Sequence, residues 1–271
     1  MPELPEVETI RQELFHLKNQ TIENVSSSIH LPNFTNEKKN FSKKLIGLKL
    51  KKISRQGKWL LFEFTDDSTL FSHLGMSGQW HLTSQKTTQK HIHLSLYYNN
   101  NISLHYIDPR RFGHFALLDK KRTIAKISQI GVDVLSLEFT TQTLTTALEN
   151  HPNLPIKALL LNQKYFAGVG NYIANEICAR SHLLPTTLAK DVNPKLIPTL
   201  FQSTKKVIEL AIASKGVTFG GAYKRSNGES GEGKTTLLVF HQKICQMCLK
   251  TEIIKITLLG RGTFYCPHCQ K

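Results

Sequence analysis

Four of the five cysteines fall in two Cys-x-x-Cys pairs, Cys245/Cys248 and Cys266/Cys269, with seventeen residues between the pairs. Zinc takes four ligands in a tetrahedron, and two such turns each offer two thiolates on one side. The separation lies in the window of ribbon-like zinc sites. A redox pair would sit at a strand-to-helix junction and would not need a second copy. Four thiolates close the coordination shell, so the expectation is one structural Zn2+ and no metal chemistry. His268, between the last two ligands, is read as a solvated turn histidine, and Cys178, alone on a helix, as a core residue. Between the pairs, Gly260-Arg261-Gly262 predicts a tight hairpin with a cation at its tip. From residue 241 on, five Lys or Arg stand against one acid, a balance that suits a DNA backbone or groove.

The other reactive group lies at the opposite end. Removal of Met1 before the small Pro2 would expose a secondary amine. Such α-amino groups titrate near about 7.7–8.0, so a useful fraction is neutral at physiological pH. Beside carboxylates such as Glu3 and Glu6, a neutral amine can attack an aldehyde-level carbon and form an iminium. A third candidate is Gly228-Glu-Ser-Gly-Glu-Gly-Lys-Thr235, which fits a phosphate-loop pattern residue for residue. That pattern acts only between a buried strand and a helix. Residues 222–227 are polar and Leu237–Phe240 reads as a short strand-like run, so an NTPase is rejected. A flexible glycine loop, able to close over a ligand, remains.

These groups need elements to hold them. Residues 5–19 read as a helix, with Val7, Ile10, Leu14 and Leu17 at helical spacing. From about 22 to 118 the texture is one of short alternating runs: Leu48–Ile53, Trp59–Phe64, His91–Tyr98, Ile102–Ile107 and Phe115–Leu118. Turn residues separate them, which predicts an antiparallel β domain. A mixed stretch, 119–140, leads to helices at about 141–150, 155–163, 171–180 and 193–214. A Gly/Ser-rich loop, 219–234, and short strands around the cysteines follow. Thirty-five Lys and Arg against twenty Asp and Glu give a formal charge of +15, a surplus tolerated most readily when the partner is a polyanion. The acidic, prolyl N-terminus is not a secretory signal, and no apolar run approaches the ~18–20 residues of a membrane helix. A cytosolic location, without membrane attachment, is expected.

Taken together, Pro2-Glu-Leu-Pro-Glu-Val-Glu-Thr9, Gln56-Gly-Lys58-Trp-Leu-Leu61, His73-Leu-Gly-Met-Ser-Gly78, Asp108-Pro-Arg-Arg-Phe-Gly113, Gly168-Val-Gly-Asn171 and the terminal cysteines resemble the formamidopyrimidine-DNA glycosylase family. The matches are ordered and spread over almost the whole chain. The resemblance implies an α+β multidomain protein. Its parts would be an N-terminal antiparallel β-sandwich with an N-terminal helix (1–135), a helical helix–two-turn–helix domain with a lesion-capping loop (136–240), and a C-terminal four-cysteine zinc-finger β-hairpin (241–271). It also implies a bacterial-type, nucleoid-associated monomer that repairs double-stranded DNA containing oxidised bases or abasic sites.

By the same resemblance, Pro2 would attack C1′ of the damaged nucleoside and the resulting iminium would drive β,δ-elimination. Glu3 would serve as acid/base, with Glu6 as supporting carboxylate. Lys58 would bind phosphate beside the lesion, and Arg261 would grip phosphates around it. Met76, Arg110 and Phe112 would fill the space left by a flipped nucleotide. His91, Lys157 and Asn171 match DNA-contacting positions, Asn171 at a helix start where free N–H groups favour phosphate. The 219–234 loop departs from the family's usual base-capping loop in composition and glycine content. Two other readings stand beside this one. One is an enzyme resembling endonuclease VIII, acting on oxidised pyrimidines; intact Met76 and Asp108–Gly113 argue against it. The other is a non-catalytic zinc-ribbon DNA-binding protein.

Overall fold

The computed structural model describes residues 1–28, 40–85, 87, 89–99, 101–220 and 223–271. Gly221 and Ala222 of the expected loop lie outside the described residues. Contacts divide the chain into two compact units, one of Met1–Gln129 with Ser214–Glu232 and one of Ile130–Ala213 with Gly233–Lys271.

In the first unit, helix α1 (Leu4–Glu13) begins at the N-cap Glu3, with a proline in its first turn. It is shorter than the expected 5–19, ending at Leu14 in a 3-10 turn over Phe15–Leu17. Strand β1 (Ile22–Ser27) and the short helix α2 (Phe41–Leu45) follow. The remaining strands are β2 (Leu50–Gln56), β3 (Trp59–Phe64), β4 (Thr69–His73), β5 (Gln79–Thr83), β6 (Ile92–Tyr98), β7 (Ser103–Ile107) and β8 (His114–Leu118). They form two four-stranded antiparallel sheets, ordered β1-β6-β7-β5 and β2-β3-β4-β8, which is the expected sandwich. Its core is aromatic: Trp80 meets Phe62, Tyr106 and Phe115 edge to face, with centroids 5.3, 5.2 and 6.0 Å away. The indole N–H donates to the buried Ser72 hydroxyl at 3.0 Å, so the polar edge of that ring is satisfied.

The expected connection 119–140 contains a further helix, α3 (Lys120–Ile127), capped by Asp119, whose carboxylate accepts the Arg122 N–H. None of its residues is fully buried. Ile127 packs, partly buried, against the cluster that contains Leu61 and Phe71, but at eight residues with two isoleucines the helix is too short a run to read. It is held in part by Lys126, whose ammonium lies 4.5 Å from the Trp59 ring centre.

The second unit contains the parallel pair β9 (Val132–Asp133) and β10 (Phe166–Ala167), and four helices: α4 (Thr141–Asn150), α5 (Ile156–Leu160), α6 (Asn171–Arg180) and α7 (Ile197–Ala213). Every residue from Tyr172 to Ala179 is buried, making α6 the central helix. The unit ends in the hairpin β11 (Ile254–Leu258) and β12 (Arg261–Tyr265). One expectation is corrected here. Leu237–Phe240 is not a strand: the N–H groups of Leu238, Val239 and Phe240 donate to the buried Glu176 carboxylate at 2.6, 3.0 and 2.9 Å. Residues 214–232 group with the first unit, and Tyr223 enters the sandwich core. The end of the phosphate-loop pattern lies in a 3-10 turn, Gly233–Thr236, and does not open an α-helix, in keeping with the rejection of that pattern. No helix among the described residues is long and apolar enough to cross a membrane.

Candidate functional site

At the start of α1, Glu3 and Glu6 form a reciprocal capping box, and Glu6 Oε2 accepts the Glu3 N–H at 2.7 Å. Pro2 is therefore the residue just outside a rigid helix start, and it is buried together with both carboxylates. Glu6 has a second partner. Its Oε1 accepts the Val217 N–H at 2.7 Å, which ties the helix start to the base of the 214–232 segment.

Lys58 lies in a two-residue turn between β2 and β3, with Gly57 at φ +57°. The turn is fixed from both sides. Arg55 donates to the Gly57 carbonyl at 2.9 Å and pairs with Glu8 of α1 at 3.1 Å. Burial pushes the Glu8 carboxyl up, but the Arg11 and Arg55 guanidiniums outweigh it and hold Glu8 below the ordinary range. Lys58 thus has its position set by a charged link to the helix that follows Pro2 and Glu3.

His73 lies close to Lys58. Its Nδ1 accepts the Gly75 N–H at 3.1 Å and its ring tilts against Trp59 at 4.9 Å. Burial first, then the charges of Lys58, His114 and Lys126, lower its pKa from 6.5 to about 4. An unfolded chain accepts a proton near 6.5 that the folded protein refuses until about 4. Stability should therefore fall as pH drops through that window, and His73→Asn should flatten the loss. Urea unfolding at pH 7 and pH 4.5 tests this; an unaltered pH difference in the variant would show that His73 does not carry it.

Met76, Arg110 and Phe112 lie on two turns that lock together. Met76 and Phe112 are 40% and 44% exposed, unusual for such side chains, and the Arg110 guanidinium sits 4.8 Å from the Phe112 ring centre. Behind them, the fully buried Asp108 accepts from the Ser77 hydroxyl (2.5 Å), the Gly113 N–H (2.8 Å) and the Tyr106 hydroxyl (3.3 Å). Gly75 has φ +60°, and a Cβ there would stand 2.3 Å from the Phe112 carbonyl oxygen. Glycine is needed for the two turns to approach this closely. His91 is exposed on the neighbouring loop, and its carbonyl accepts the Asp108 N–H at 3.0 Å.

In the second unit, Arg261 is exposed at the hairpin tip, where Leu259 and Gly260 both have positive φ, 47° and 72°. That is the signature of a two-residue primed turn. Lys157 takes a position that its sequence match did not anticipate. It has no exposed surface, and its ammonium donates to the Gly262 carbonyl (3.0 Å) and the Thr263 hydroxyl (2.7 Å). In this conformation it holds the hairpin from behind. Asn171, the first residue of α6, donates to the same Gly262 carbonyl at 3.0 Å. Asn175 accepts the Phe264 N–H at 2.7 Å. Spacing alone carries no signal for Asn175, for Glu176 or for the inward turn of Lys157.

The four cysteine sulfurs lie within 4.8 Å of one another, with Cys245–Cys269 and Cys248–Cys266 at 3.9 and 4.0 Å. A tetrahedron with Zn–S bonds of ~2.3 Å has edges of ~3.8 Å, so the set fits a single ion. All four are free thiols, and this cluster could hold a metal ion.

Comparison with known proteins agrees with this layout. Residues 1–115 match the family described as Formamidopyrimidine-DNA glycosylase N-terminal domain, and residues 130–221 its H2TH domain. The chain is 36% identical over 277 residues to a formamidopyrimidine-DNA glycosylase of Lactobacillus gasseri, covering 100% of this chain and 99% of that one. Among solved structures, it resembles Lactococcus lactis Fpg (MutM) in complex with DNA containing N7-benzyl-Fapy-dG, with TM-score 0.90, 31% identity and full coverage of both chains. It is similarly close to MutM in complex with DNA containing carbocyclic 8-oxo-G, with TM-score 0.89, 31% identity and full coverage.

Proposed function

The chain belongs to the formamidopyrimidine-DNA glycosylase family, and from that premise we propose that Pro2 is its nucleophile. The protein is a base-excision repair glycosylase and AP lyase for oxidised purines, and its partner is double-stranded DNA carrying such lesions or abasic sites. The observation that carries the mechanism is the capped start of α1, which buries Pro2, Glu3 and Glu6 together at one helix end.

With Met1 removed, the Pro2 nitrogen attacks C1′ of the extruded nucleotide, and the C1′–N bond to the damaged base breaks. Glu3 donates the proton that opens the sugar ring and accepts one as the step proceeds. The base leaves with a proton, and an iminium links Pro2 to C1′. That cation acidifies the C2′ proton; its removal expels the 3′ phosphate, and a second elimination expels the 5′ phosphate. Lys58 binds phosphate beside the lesion and supplies positive charge where the leaving groups become anionic. Glu6 keeps Glu3 in register through its backbone N–H. Met76, Arg110 and Phe112 fill the vacated stack, and His91 and Asn171 contact the DNA. Lys157 supports them by holding the hairpin. By its place in the chain order, the segment 219–234 is read as this protein's counterpart of the family's base-capping loop. The test is borohydride reduction during turnover on an 8-oxoguanine duplex, which should trap a covalent adduct mapping to Pro2. An adduct on a lysine, or none at all, would reject the assignment.

The cysteine cluster holds one structural Zn2+, supported by the fit of its sulfur separations. When bound, the ion supplies rigidity to the chain between its ligands. Arg261 projects from that hairpin and grips phosphate. Arg261→Ala should weaken DNA binding by about tenfold and flatten the log K against log salt slope by ~0.9, one phosphate contact. An unchanged slope would show that the hairpin tip does not touch the DNA. As functional parts we keep 1–135, 136–240 and 241–271, a division distinct from the two contact units, because residues 214–232 fall with the first of those units. We place the protein in the cytoplasm, as a monomer on the nucleoid.

A further inference from the structure

The segment after α7 is built onto α1 by a carboxylate that no step above uses. Glu13, the last residue of α1, accepts three hydrogen bonds from residues more than two hundred positions away. They come from Arg225 Nε at 2.6 Å, the Ser226 N–H at 2.8 Å and the Ser226 hydroxyl at 2.8 Å. The side chains of Glu13 and Arg225 are only 17% and 21% exposed, so this pair is better shielded than an ordinary surface ion pair. Arg225 also pairs with Glu229 at 2.6 Å, and the Arg225 N–H donates to the Glu229 carbonyl at 2.8 Å, which closes the turn 225–229 on itself. The Ser226 carbonyl accepts the Leu82 N–H at 2.9 Å, and β5 is an edge strand of its sheet. Ser226 and Tyr223 are each 3% exposed. At its other end, the segment is joined to the helix start by Glu6 and Val217. One helix thus grips this strap at both of its own ends.

We propose that Glu13 is a specificity-determining positioning residue, clamping the strap 223–231 onto α1 so that the strap is docked before a damaged base arrives. The inference rests on the reading that this segment caps the extruded base. An intact lesion presents a base to be held, whereas an abasic site has none. Loss of the clamp therefore acts on base excision and spares cleavage at a site that already lacks its base.

The test compares Glu13→Ala, Glu13→Gln and Arg225→Ala with the unaltered protein on two duplexes, one with 8-oxoguanine and one with an abasic site. For Glu13→Ala, kcat/KM for base excision should fall about tenfold or more while abasic cleavage stays within about twofold. Glu13→Gln keeps an acceptor for Ser226 and loses the ion pair, and should fall between. Arg225→Ala lies off the helix and should show the same selective loss even where Glu13→Ala folds poorly. Hydrogen exchange at the Ser226 amide should accelerate in both alanine variants. Equal losses on the two duplexes, or no loss on either, would overturn the inference. An unaltered protein that cleaves neither duplex would overturn the lyase reading, and this inference with it.

Discussion

A chain whose Pro2 nitrogen is blocked, by a retained Met1 or an added N-terminal extension, should lose base excision by at least ~10³-fold and form no borohydride-trapped adduct. An amide nitrogen has no available lone pair, so nothing remains to attack C1′. The buried carboxylates would still be present, and DNA binding should be almost unchanged. Pro2→Gly separates the amine from the ring. It leaves a primary amine able to form an imine, but one without the pyrrolidine that fixes its direction at the helix start. We expect a smaller loss, on the order of 10²-fold, from misplacement alone. Glu3→Gln keeps a cap acceptor and removes the proton donor, and should cost ~10²–10⁴-fold in the chemical step. Single-turnover rates with intact-mass measurement of each N-terminus would check all three. Full activity with Met1 retained would remove Pro2 from the mechanism.

The second large effect is expected from the cysteines. Cys248→Ser, or removal of metal with a strong chelator, should lower affinity for lesion duplex by about two to three orders of magnitude. A two-stranded hairpin is marginal by itself, whereas structural zinc contributes ~10–16 kcal/mol in small zinc-finger peptides. The anchors made by Lys157, Asn171 and Asn175 fix one side of the hairpin only. Activity should then fall because binding falls. Elemental analysis should find one zinc per chain, and re-addition of zinc should restore binding. Metal-free protein that binds lesion duplex with unchanged affinity would refute a supporting role. The metal-free protein should keep the same pH dependence of unfolding in the window set by His73, because that histidine belongs to the other compact unit.

Features specified by residues close in sequence are legible in the amino-acid order alone. The two Cys-x-x-Cys turns set two sulfurs each by local geometry, and the glycines around Arg261 mark a hairpin, although its turn residues are Leu259-Gly260 and Arg261 opens β12. The strand Trp59–Phe64 and the helices Thr141–Asn150 and Asn171–Arg180 lie where periodicity and turn residues put them. Helix α3 is not legible in this way, because it is only eight residues long and its apolar positions are few, with Ile127 only partly buried. Leu237–Phe240 misleads for the opposite reason: its apolar run looks like a strand, but its N–H groups are taken by Glu176 from another element.

The chemistry-bearing residue types are also determined by the sequence, as an ordered set of motifs. What only the tertiary structure decides is which way several of them face and what holds them. Asp108 is one residue of a motif in the sequence; in the fold it is the buried acceptor that locks the Met76 and Phe112 turns together. Lys157 reads as a cation for DNA and is turned inward onto a hairpin more than a hundred residues away. Glu13 ends a helix without any local sign of function, yet it grips a strap from the far side of the sequence. The physical reason is common to all three. A buried or half-buried carboxylate or ammonium must find partners to offset desolvation, and those partners are supplied by the fold, at separations that no local spacing records.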